Sequence, residues 1–211
     1  MSLLEYFLRH QREILQATAE HVWLVGVTMV LSVAIGVPLG VLVTRRPWLS
    51  KPILGGANIA ETIPSLALFG FLLPVPWLGG RADRLAIAAL TLYALLPIIR
   101  NTSAGIAGVD AAVREAARGM GMTERQILFQ VELPLSLSTV LAGVRVATVL
   151  TIGIATIAAA VGAGGLGEFI FRGLAMVNNQ LILAGAIPAA LLALGADFLL
   201  GVLERRLRPA R

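Results

Sequence analysis

The residues that could do chemistry are few, and most are spaced wrongly for it. There is no cysteine, so thiolate metal sites, disulfides and redox couples are excluded. His10 and His21 are the only histidines and stand outside any ligand-like cluster, so no metal centre is expected. Gly162-Ala163-Gly164-Gly165-Leu166-Gly167 has the outline of a phosphate loop. No strand precedes it and no Gly-Lys-Ser/Thr follows, so it is read as a turn. Lys51 is the only lysine, so a lysine-bearing nucleotide loop is missing altogether, and this chain is expected to bind no cofactor. What remains is electrostatic: Glu61, Arg145 and Asp197 lie inside long apolar runs. Such charges are costly in hydrocarbon and must face a bundle interior or a wet cavity. About 1.5 Å per residue puts Glu61 roughly 15 Å past Lys51 and Arg145 roughly 17 Å past Pro134. A Glu61–Arg145 pair is therefore possible, with Asp197 as the rival partner. Asn58, Pro64 and Ser65 lie beside Glu61 and join these three as candidates for a path or gate.

The elements that hold these residues are membrane spans. The chain has 211 residues, is 57% hydrophobic and has a mean hydropathy of +0.85, which is no soluble composition. A spanning helix needs about 20 mostly apolar residues. Five runs qualify, at about 22–43, 52–73, 85–99, 133–160 and 181–203, so an all-α membrane protein is expected. Gly36 and Gly40 in the first run form a small-residue pattern for close helix packing, with a kink expected at Pro38. Residues 1–21 alternate Leu4, Phe7, Leu8, Ile14 and Leu15 with charges, as an amphipathic helix on the outer membrane surface would. No basic stretch leads into an apolar core there, so no cleaved signal peptide is expected.

Basic residues set the orientation. Eleven fall in the 44–51 loop, the 100–132 loop and the tail from 204, against five on the alternate side. By the positive-inside tendency the central loop and the C-terminus are cytoplasmic and the N-terminus is outside. The charge of +5 is thus a topology signal and not a nucleic-acid surface.

The long polar interval is 110–132, followed by Leu133-Pro134. It predicts two short helices broken at Gly119–Gly121, with Asp110 as the first N-cap and Thr123/Gln126 as a capping box. Ala112, Ala116 and Gly119 share one nearly bare face, edged by Arg114, Glu115 and Arg118. Pro134 suits the start of a following helix. Without more, this reads as a solvated helix-turn-helix loop.

Its fixed gaps, Glu115-Ala116-Ala117, then Gly121, then Leu133-Pro134, resemble the EAA loop of membrane subunits of ATP-binding-cassette importers, with Val131 where isoleucine is usual. Beyond the loop the chain resembles the osmoprotectant branch, which takes glycine betaine, choline and carnitine. The matching stretches are Glu20-His21, Thr62-Ile63-Pro64-Ser65-Leu66-Ala67-Leu68, Tyr93 to Pro97, Arg100-Asn101-Thr102, Ala142 to Arg145 and Gly162 to Gly167. Glu61 stands where relatives carry glutamine. The resemblance implies a type I importer permease fold with no covalent catalysis. Arg114, Glu115, Ala116, Ala117, Arg118, Gly121, Leu133 and Pro134 would then be the coupling segment. The implied partners are ATPase subunits holding ATP and magnesium, a second permease copy or paralogue, a separate extracytoplasmic binding protein and lipid, in a bacterial cytoplasmic membrane. With 6% aromatic residues there is little for an ammonium-binding cage, so discrimination is expected in the binding protein. The rival readings are a permease for amino acids such as methionine, a self-contained secondary carrier, for which no internal repeat is visible, and a small membrane scaffold.

Overall fold

The computed structural model describes residues 3–207, and among them only helices and turns. The helices are α1 (Leu3–Arg9), α2 (Gln11–Arg45), α3 (Pro47–Thr62), α4 (Ser65–Leu72), α5 (Ala82–Ala107), α6 (Ala111–Gly119), α7 (Glu124–Ile127), α8 (Leu133–Ala155), α9 (Gly167–Ala175) and α10 (Asn179–Arg206). A π-helical turn, Leu128–Glu132, joins α7 to α8, and a 3₁₀ turn, Ile157–Val161, follows α8. Four helical stretches are long and apolar enough to cross a membrane, and α3 with α4 makes a fifth if that bent pair is one span.

Helix α5 is the axis of the bundle, with α2 on one side and α8 on the other. Small residues make both seams. A β-carbon placed on Gly40 would lie 2.5 Å from Thr102 Cβ, and one on Gly143 would lie 2.5 Å from Asn101 Cβ. The Gly36/Gly40 pattern therefore does pack α2 closely, against α5, and α2 runs on through Pro38 to Arg45. In a membrane, where the hydrophobic effect does not drive helices together, this closeness gives dispersion contacts their reach. Leu24, Phe69, Leu85, Leu90 and Ile152 fill the core where α2, α4, α5 and α8 meet. Leu191, Leu194, Phe198 and Leu199 of α10 are exposed, as an apolar surface facing lipid would be.

Besides α5, which extends the run expected at 85–99 to Ala82–Ala107, three boundaries differ from the sequence expectation. Residues 11–21 are not a separate surface helix but the first turns of α2. Ile14 and Ala17 are buried with Tyr6, Phe169, Leu181 and Ala184, so tertiary packing holds this segment in line with the span. The second span is broken: α3 and α4 meet at 107°. Pro64 pushes Ile63 into extended backbone, and the Tyr93 hydroxyl donates to the freed Ile63 carbonyl. Finally, Pro134 stands at the start of α8 as expected, as its second residue, but a π turn and not a loop precedes it. A proline lacks the N–H and crowds the carbonyl four residues back, and a wider turn at that place relieves both.

Candidate functional site

The polar interval folds as a capped helical insert. The Asp110 carboxylate accepts from the Ala112 N–H at 2.9 Å. Thr123 and Gln126 form the reciprocal capping box that their spacing predicts. Between the caps the chain reverses at Gly121, whose φ of +79° is natural to glycine. Met122 N–H donates to Ala117 O at 3.1 Å and Gly121 N–H to Arg118 O at 2.9 Å. That is a Schellman closure, in which the left-handed residue satisfies two carbonyls of the helix end.

The insert presents one face and buries another. Ala112, Glu115, Ala116 and Gly119 are exposed, and a β-carbon on Gly119 would meet nothing. Ala117 is only 2% exposed and packs inward, so within Glu115-Ala116-Ala117 two residues are presented and the third anchors them. Arg114 and Leu133 are partly buried, while Arg118 and Pro134 are exposed. Val113, Met120 and Phe129 add exposed apolar surface that the sequence reading did not single out. Their signal was there, apolar side chains in an otherwise polar interval.

An ion network, also not foreseen, ties the insert to the bundle. Arg118 Nε donates to Glu124 Oε1 at 2.9 Å, and Arg45 Nη1 lies 3.5 Å from Glu124 Oε2. Arg45 Nη2 is also paired closely with Glu132. The Glu124 carboxylate raises the Arg118 pKa above its already high ordinary value, so that charge is permanent. No sequence signal could pair Arg45 with Glu124 and Glu132, which stand far along the chain from it.

The path candidates separate into two places. Arg145 pairs with Asp197, Nε to Oδ1 at 2.6 Å and Nη2 to Oδ2 at 2.8 Å, and its Nη1 reaches Glu204 at 3.3 Å. Of the two partners foreseen for Arg145 the structure pairs it with Asp197, and Glu61 stands exposed on α3. Around Glu61 the break at Ile63–Pro64 gathers exposed Asn58, exposed Pro64 and half-buried Ser65, and Arg100 Nη2 donates to Asn58 Oδ1 at 3.3 Å. At the opposite end of α2, the Gly165 N–H donates to Glu20 at 3.2 Å and His21 Nε2 lies 3.1 Å from the Ile152 carbonyl. Gly164 and Gly165 both hold positive φ, so the glycine run is a packed turn against α2.

The comparisons agree on one family. Residues 36–209 match the model of the binding-protein-dependent transport system inner membrane component. The carnitine transport permease protein OpuCB of Listeria monocytogenes is 43% identical over 99% of this chain and 94% of its own. The osmoprotectant import permease protein OsmW of Salmonella typhimurium is 42% identical over 99% and 98%. The glycine betaine/carnitine/choline transport system permease protein OpuCD of Bacillus subtilis is 46% identical over 98% and 89%. Among solved structures, an inward-facing MetNI methionine ABC transporter chain superposes with a TM-score of 0.84 at 25% identity, covering 94% of this chain and 96% of that one. The chain therefore belongs to the inner-membrane permeases of binding-protein-dependent ABC transport systems, proteins that work with an ATPase and a substrate-binding protein and are not themselves enzymes.

Proposed function

We propose that this chain forms the translocation path of an ATP-driven importer for a small quaternary ammonium osmoprotectant such as glycine betaine, choline or carnitine. The observation that carries the coupling half of this reading is the capped insert 110–132, a rigid, small-faced helix held at one end of the bundle. The identity above 40% to osmoprotectant permeases along almost the whole chain supports the cargo, whereas the methionine transporter shares 25%. A second permease, identical or paralogous, pairs with this one around a central path, with the N-terminus outside and the insert in the cytoplasm. A carboxylate left exposed in a spanning segment needs such cover. On this reading Asn58, Glu61, Pro64 and Ser65 face the path. The Arg145–Asp197 pair instead ties α8 to α10 and neutralises charge between them.

Coupling follows from shape. Two ATPase subunits, which carry ATP and magnesium, take the exposed face of Glu115, Ala116 and Gly119 into a groove. Arg114 and Arg118 sit at its edges, and Ala117, Gly121, Leu133 and Pro134 hold the geometry behind it. Closure of the ATPases draws the two inserts together and turns the path outward, towards a separate extracytoplasmic binding protein. Reopening turns it inward.

Mild-detergent purification from the native membrane tests the reading. An ATPase should co-purify, and should be lost when Glu115 to Gly121 are altered. A binding protein recovered with it should bind choline, glycine betaine or carnitine and not methionine. A chain that comes out alone and moves solute in liposomes without ATP would overturn the importer reading in favour of a secondary carrier.

A further inference from the structure

The network at the base of the insert has a composition that plain surface charge does not explain. Glu132 is 1% exposed, and its Oε1 has no hydrogen-bond partner. It sits at the last residue of the π turn, the irregular place in an otherwise continuous helical run from Glu124 to Ala155. A π turn adds a residue to the helical circuit and so changes the direction of the side chains that follow. Here the turned-in side chain is a carboxylate, and it meets Arg45, the last residue of α2. Arg45 is shared with Glu124, and Glu124 with Arg118 of α6. Two guanidinium groups thus face two carboxylates. One continuous chain of charge runs from the insert through α7 and the π turn into the end of α2.

The geometry points to Arg45 and Glu132 as the positioning pair that transmits movement of the insert to α2. A buried carboxylate stripped of its partner is costly, so the pair holds the two elements at one separation. Helix α2 packs along α5 through Gly36 and Gly40, and its far end carries Glu20 against the glycine turn at 162–167. A push on α6 therefore reaches both ends of the bundle through α2 as well as through α8, with which the insert is covalently continuous. This inference rests on the coupling reading above. Arg45 and Glu132 themselves touch neither solute nor nucleotide.

The test uses the complete importer, permease, ATPase and binding protein, in proteoliposomes. ATP hydrolysis is measured with uptake of a mixture of radiolabelled glycine betaine, choline and carnitine. Arg45→Gln and Glu132→Gln should each keep the ATPase attached and lower solute taken up per ATP by about tenfold, within the range of ordinary coupling energies. The double variant should fall no further, because both changes cut one link. Arg45→Lys, which keeps the charge without the fork, should lie between. A wild-type ratio in Glu132→Gln, additive losses in the double variant, or reduced yield with an unchanged ratio in the assembled complex would each overturn the assignment. Glu115→Lys run in parallel separates the two readings. If it leaves uptake per ATP intact, the coupling reading itself fails. If it abolishes uptake while Arg45→Gln keeps the wild-type uptake per ATP, only the role of Arg45 and Glu132 fails.

Discussion

Gly121 and Glu115 fail for different reasons. Gly121 has open space around it, so a side chain there meets no neighbour, but its φ of +79° strains any L-residue. Gly121→Val should cost about 1–3 kcal/mol locally and unseat the Schellman closure, abolishing transport while membrane insertion, read by fractionation, stays normal. Glu115→Lys leaves the backbone alone and reverses the charge on the presented face, so loss of ATPase co-purification is the expected result. Wild-type uptake in either variant would count against the docking face. Asp110→Ala removes the first cap, worth about 1 kcal/mol in comparable helices. It should lower amide-exchange protection more in α6 than in α7, since Thr123 caps α7 independently. The Arg145 cluster behaves as a unit: Asp197→Asn should lower the thermal midpoint in detergent. An apolar replacement of Arg145 and Asp197 combined with Glu204→Gln should lower it less, because no charge of the cluster then loses its partner.

Among the helices, the two glycine seams decide how α2, α5 and α8 assemble. A leucine at Gly143 would drive its β-carbon to 2.8 Å from the Pro97 carbonyl and 2.5 Å from Asn101, where backbone must move. Overpacking of that kind costs about 1–3 kcal/mol or more, so Gly143→Leu should aggregate on detergent extraction. Gly26→Leu, which faces open space on the same bundle, should extract normally and serves as the control. The broken α3–α4 element is more tolerant of its partner than of its proline. Tyr93→Phe removes the donor to the Ile63 carbonyl and loosens the bend, whereas Pro64→Ala removes its cause.

Across the whole molecule, the proposed orientation makes a labelling prediction. The chain has no cysteine, so single introduced cysteines report cleanly. A cysteine at exposed Met120 should react with a membrane-impermeant maleimide only after the cells are opened, and one at exposed Met176, beyond α9, should react in intact spheroplasts. The reverse pattern would invert the topology. The contact of Arg45 with the insert already puts the basic junction of α2 and α3 and the 110–132 insert at one end of the bundle, as the alternation of basic segments requires.

The sequence alone determined whatever is local or periodic. Apolar runs are read from length, and the caps at Asp110 and Thr123 and the reversal at Gly121 follow from the preferences of single residues. The GxxxG seam is a spacing on one helix face. These are short-range effects, and the caps, the reversal and the seam appear in the structure where their residues stand, whereas the second apolar run is broken at Pro64. Tertiary structure decided what depends on partners distant in the chain. It drew residues 11–21 into α2 by burying Ile14 and Ala17 against α9 and α10. It bent α3 from α4 by 107°, an angle that Pro64 permits and α5 sets through Tyr93. It chose Asp197 over Glu61 for Arg145, and it brought Arg45 to Glu132. Charge pairing has no period along a chain: an arginine takes the carboxylate that packing delivers to it.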